Sequence, residues 1–156
     1  MMNIAYKIHD IILPIASIIM NLRYWWNKWD KWKDATEKMD IDVYNLQDVA
    51  HIMSTFKWTP DKYVDWKPWV HTIFANDMKD DCDGAAVLGK WLLGKIGFEA
   101  RIVKLWKTGS NEGHSICVTA DNTIMVSNND VMNINPNHWN KDVRVFHRNL
   151  YDIVQG

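Results

Sequence analysis

The sequence predicts an α+β domain, with helices first and a small, mainly antiparallel sheet after them. Three observations carry this. Over residues 4–32 apolar side chains recur at alternating steps of four and three, the spacing of one helical face. After Gly97 the chain changes to short runs rich in β-branched and aromatic residues, "ARIVKLWK", "HSICVTA" and "TIMVSNN", separated by polar turns. Between these halves "CDGAAVLGKWLL" (82–93) reads as one helix feeding the sheet.

The first stripe runs from Ile4 through Ile15, Ile18 and Leu22 to Trp25, Trp29 and Trp32, with Pro14 inside it as a kink or restart. Large apolar side chains in such a row need a surface, and the expected one is the chain's own domain. Packing there would hold the Trp-rich "RYWWNKWDKW" (23–32) at the rim of a cleft. Self-association is the alternative. Membrane-surface contact is disfavoured because the isoleucine part lacks a basic face. The apolar run "IILPIASIIM" (11–20) is too short to span a bilayer, which takes roughly 20 residues. Its length suits a signal peptide, but Asp10 stands at its edge and "NLRYWW" offers no small-residue cleavage site.

"TEKMDIDVY" (36–44) reads as a connector, "NLQDVAHIMSTF" (45–56) as a short helix, and "KWTPDKYVDWKPWV" (57–70) as a packed irregular segment. A helix then runs from Cys82 to about Leu93, with Gly94 and Gly97 as terminators. Strands follow at 100–107, 114–120 and 123–129, with Asp121-Asn122 as a hairpin turn, and "DVRVFHR" (142–148) reads as the last strand. The whole is one compact domain, divisible into an N-terminal helical segment (1–35) and a core (36–156).

A net charge of −1 gives no electrostatic footprint for nucleic acid. The two cysteines, Cys82 and Cys117, make no disulfide framework in a chain of 156 residues. Reduced thiols and a cytoplasmic setting are the simpler reading. No C-x-x-C or H-x-x-x-H spacing suggests a metal site, and no cofactor motif is present.

Cys82 lies among aspartates at a helix mouth. With Asp81 as cap it takes the first helical position, where orphan N–H groups and the helix dipole favour a thiolate. Asp81 and Asp83 oppose that, so a cation must hold the sulfur ionised, and a histidine is the usual partner. His114 starts a strand that returns toward this helix. The imidazole then needs an orienting group. If the apolar faces of both strands meet the cysteine helix, Asn128 points at the site; a strict two-residue turn at 121–122 instead sets Asn129 opposite His114. Asn128 is the favoured residue. Beside the Cys82 N–H, Asn76 or the Trp66 indole is a candidate oxyanion donor. Cys117, on the other strand face from His114, reads as core.

These residues resemble a family. "DWKPWVHTIFANDMKDDCDGAAVLGKWLLGKIGFEARIVKL", then "GHSICVT" and "IMVSNN", look like the core of the transglutaminase-like cysteine peptidases over roughly residues 57–130. The family pattern is a D-x-W segment, G-D-C-[DE]-D opening a helix, G-H before a strand, and L-D-N after a hairpin. This chain departs from it at Asp80, at Gly84, and at Ser127 or Asn128, which stands in place of the aspartate. The resemblance implies a papain-like α+β core and acyl transfer from a peptide or protein amide through a Cys82 thioester, with no cofactor. Two other readings are a cell-wall amidase, whose D-C-S-G resembles "DCDG", and a catalytically inactive binding module of the same fold.

Overall fold

A computed structural model of the protein describes residues 4–60, 67–110, 112–147 and 151–154. Two helices come first, α1 (Ile4–Asn27) and α2 (Trp29–Met39). The first runs through Pro14, and the second takes in part of the expected connector. Helix α3 (Leu46–Ser54) starts at a capping box: Asn45 Oδ1 accepts from the Gln47 and Asp48 N–H groups, and the Asp48 carboxylate accepts from the Asn45 N–H. Strand β1 (Lys57–Trp58), helix α4 (Val70–Ala75) and strand β2 (Lys79–Asp80) lead to α5 (Cys82–Lys95). The remainder is β3 (Ala100–Lys107), β4 (Gly113–Thr119), β5 (Ile124–Ser127), β6 (Asp130–Asn133), α6 (Trp139–His147) and β7 (Tyr151–Val154).

The main sheet has the order β6-β5-β4-β3-β7, antiparallel at every step, while β1 and β2 form a separate parallel pair. The architecture is α+β. The alternation of each strand divides the core in two. Ile102, Cys117 and Val126 face α5, whereas Val103, Leu105, Ile116, Val118 and Met125 face Trp139 and Val143 of α6. Gly89 lets α5 approach closely, since a Cβ there would lie 2.8 Å from a Val126 methyl.

Two expectations are corrected. The stretch expected as the last strand, 142–148, is α6 as far as the described residues go. "DVRVFHR" alternates like a strand, but the protein buries Trp139 and Val143, one helical turn apart, and leaves Val145 66% exposed. The expected strand 123–129 is also shorter, because the chain reverses at 128–129 and returns as β6.

A third correction concerns the N-terminal stripe. Ile15, Ile18, Leu22 and Trp29 are between 45% and 57% exposed, while Ser17 and Asn21 are buried. Helix α1 meets the domain through its polar face. Asn21 Nδ2 donates to Lys67 O at 3.1 Å, and its Oδ1 accepts from the Trp69 N–H at 2.8 Å and from Thr72 Oγ1 at 2.6 Å. Ser17 Oγ accepts from the Lys67 N–H at 2.7 Å. Residues 67–69 have no regular structure, so their backbone groups need such partners. The stripe's last member, Trp32, does pack inward, stacked on His71 at 5.2 Å.

Candidate active site

The segment before Cys82 is held from both sides. Lys57 N–H donates to Met78 O at 2.7 Å, and Thr59 N–H donates to Asp80 O at 2.8 Å, so β1 pins β2. The turn feeding β2 places Asp77 and Met78 at φ 56° and 60°, a left-handed pair that costs energy in residues with a Cβ. Lysines of α2 brace it: Lys38 and Lys31 lie 3.4 and 3.6 Å from the Asp77 carboxylate and, with the Lys38 bond foremost, hold its pKa below the ordinary carboxylate value.

Asp81 caps α5, its Oδ1 accepting from the Asp83 N–H at 2.8 Å, and this makes half-buried Cys82 the first helical residue, as the sequence predicts. Asp80 is buried with its side chain against Gly84, where a Cβ would lie only 2.4 Å from the Asp80 Cβ. Asp83 is buried too, and Ser115 Oγ of β4 donates to its Oδ1. Asp83 Oδ2 is buried without a hydrogen-bond partner among the described residues.

That Asp83–Ser115 bond brings the mouth of α5 to the start of β4. Cys82 and His114 are each one Cα step, about 3.8 Å, from a member of this bonded pair. Face is a different matter. His114 stands opposite Leu105, so alternation aims it to the α6 side of the sheet, while Ser115 and Cys117 look toward α5. The expectation that the Ile116–Val118 face meets the cysteine helix does not hold; the Cys117 face meets it.

The imidazole partner also differs from the expected Asn128. His114 Nε2 lies 3.0 Å from Ser127 Oγ. Ser127 follows Met125 on the α6 side of β5, and Asn128 follows Ile124 and Val126 on the α5 side. Asn128 sits in the β5–β6 turn at φ 49°, its Oδ1 buried without a hydrogen-bond partner among the described residues. Asn129, the competing candidate, is a clasp: its Nδ2 donates to Met53 O and Phe56 O at the end of α3. The register offered a clue to Ser127, since a β4–β5 ladder that pairs Cys117 with Val126 puts 127 on the same side as His114.

Asn76 is occupied as well. Its Nδ2 donates to Lys79 O at 2.6 Å across the Asp77–Met78 turn, and its Oδ1 accepts from the Tyr24 hydroxyl at 3.3 Å. It shapes the turn instead of facing the thiol. Trp66 lies outside the described residues. Cys117 is fully buried, and burial pushes its thiol up to about 12 despite Lys90 and Arg101 nearby. Among the described residues no cluster of three or more histidine, cysteine or carboxylate groups is arranged to hold a metal, and no helix is long and apolar enough to cross a membrane. No family model, curated protein or solved structure matches this chain.

Proposed function

We propose that the protein is a thiol-dependent acyl-transfer enzyme of transglutaminase-like type, with a papain-like core and a peptide or protein amide as substrate. The observation that carries this reading is the Asp83–Ser115 bond, which sets a helix-mouth cysteine beside the strand end bearing the His114–Ser127 pair. Both groups stand near the ends of their elements, and this reading requires the ring to turn past the start of β4 to meet the sulfur. In the neutral imidazole, Nε2–H donates to Ser127 Oγ and Nδ1 accepts the thiol proton. The thiolate attacks the amide carbon, and the Cys82 N–H at the helix mouth faces the oxyanion. His114 then protonates the leaving amine as the C–N bond breaks. Water or a second amine takes the acyl group from the thioester and regenerates the thiol.

The departures from the family pattern at 80 and 84 fit together. Where that pattern has glycine then aspartate, this chain has Asp80 then Gly84, and the Asp80 side chain fills the space a residue at 84 would need. A carboxylate is thus kept at the helix mouth. The reduced thiols suit a cytoplasmic setting.

The test is iodoacetamide alkylation across pH, with labelled sites read by mass spectrometry. Cys82 is expected to react near neutral pH, in a manner lost in His114→Ala, while Cys117 stays unlabelled until unfolding. Equal labelling of the two thiols, or a His114→Ala profile identical to wild type, refutes the activated thiol. One observation favours a second reading, an inactive binding module: the His114 ring is aimed to the sheet face away from α5. An unshifted profile selects that reading.

A further inference from the structure

The described part of α1 presents two faces, and the domain uses only the polar one. Opposite Ser17 and Asn21 lies an open row: Ile15, Ile18, Ile19 and Leu22 at 48–59% exposure, then Trp26 at 78%, continued at the start of α2 by Trp29 at 45%. Trp25 packs edge-on against Trp29 at 5.1 Å, so the tryptophan end is a preformed aromatic cluster. Because Asn21 and Ser17 are bonded to residues 67–72, α1 cannot roll to bury the row on its own domain.

We propose that this face is covered by a second copy of the chain, α1 against α1. The spacing argues for it. Along α1, Ile15, Ile18, Leu22 and Trp25 follow steps of three and four, and the sequence carries the same phase back through Ile11, Ile8 and Ile4. Trp29 keeps the step in sequence past the break at Lys28. That period of 3.5 is the seam of supercoiled helices, whereas a helix lying on a membrane needs only a broad apolar side. Isoleucine at both seam positions is the choice of multi-helix coiled coils. Ile19 and Trp26 widen the face on one side, as more than two helices require.

Charge argues the same way. Between Pro14 and Leu22 the helix carries no charged residue, so nothing there attracts anionic lipid. Further on, Arg23 and Lys28 are exposed beside the tryptophans, whereas Lys31 is engaged with Asp77 and Lys33 lies over the Trp29 ring at 5.4 Å. Area is sufficient. At about 200 Å² per tryptophan and about 100 Å² per isoleucine or leucine, the six exposed side chains offer roughly 450 Å². Two such faces approach the ~1,000 Å² expected of a specific interface.

The experiment is light scattering on the full chain at about 100 μM, where a complex of micromolar affinity is saturated. A mass at least twice the 18.3 kDa of one chain is expected for wild type. Ile15→Glu with Leu22→Glu should return it to one chain with an unchanged thermal midpoint at low concentration, since both positions are exposed in the monomer. Asn27→Glu, exposed but off the seam, should leave the oligomer intact. A monomeric wild type overturns the proposal, as does an oligomer that survives the double variant. A monomer that sediments with phosphatidylcholine–phosphatidylglycerol vesicles overturns it in favour of a membrane surface.

Discussion

Replacing Asn21 with alanine isolates the contact that docks α1 on the domain. Asn21 is fully buried and makes four hydrogen bonds, three of which leave its own helix. Alanine abandons the Trp69 N–H, the Thr72 hydroxyl and the Lys67 carbonyl. A buried group left without a partner costs about 1–3 kcal/mol. Because α1 is a peripheral helix that can loosen and admit water, the low end applies, about 3 kcal/mol in all. For a chain of this length that lowers the melting midpoint by about 6–12 °C. Urea titration followed by tryptophan fluorescence, at concentrations where the chain is monomeric, measures it directly. Ile18→Ser is the companion, since Ile18 is 51% exposed and should change stability by no more than about 0.5 kcal/mol. If Asn21→Ala costs less than Ile18→Ser, α1 docks through its apolar stripe and the polar-face account fails.

Gly84→Ala should destabilise by about 1–3 kcal/mol, because the new Cβ would fall 2.4 Å from the Asp80 Cβ. Denaturation gives the value, and a neutral substitution would mean that the Asp80 side chain is free to leave. Ser127→Ala should slow Cys82 alkylation near neutral pH by up to about tenfold, the worth of one hydrogen bond, and shift its pH profile. Asn128→Ala should leave the profile in place, and the reverse pattern would return the orienting role to Asn128.

The central strands of the sheet, β3 to β5, were legible, while β6 and β7 were not. Strand β3 falls where "ARIVKLWK" predicts it, and the helix begins at Cys82 with Asp81 as its cap. In both cases the local chemistry and the tertiary demand agree. Where they conflict, the sequence misleads. In 142–148 the two valines, two residues apart, satisfy a strand period, and only Trp139, outside that window, stands at a helical step of four from Val143 and decides for α6. In α1 the apolar period is real, but hydrophobicity predicts that a surface is wanted and not which surface. The irregular backbone at 67–69 needed donors and acceptors, and Ser17 and Asn21 supply them.

The candidate site shows the same division between position along the chain and direction of the side chain. Helix, turn and antiparallel pair must bring β4 back to the mouth of α5, and the Asp83–Ser115 bond shows the return. Which strand face meets the helix depends on the bulk of both faces, and here both are apolar: Cys117 and Val126 on one, Ile116, Val118 and Met125 on the other. The choice falls to the helix. Gly84, Ala85, Ala86 and Gly89 give α5 a thin inner surface. Against it β4 sets Ser115 and Cys117, its smaller side chains, while its bulkier Ile116 and Val118 turn to the side of Trp139. That packing fixes His114 and Ser127 as a pair on the α6 side of the sheet.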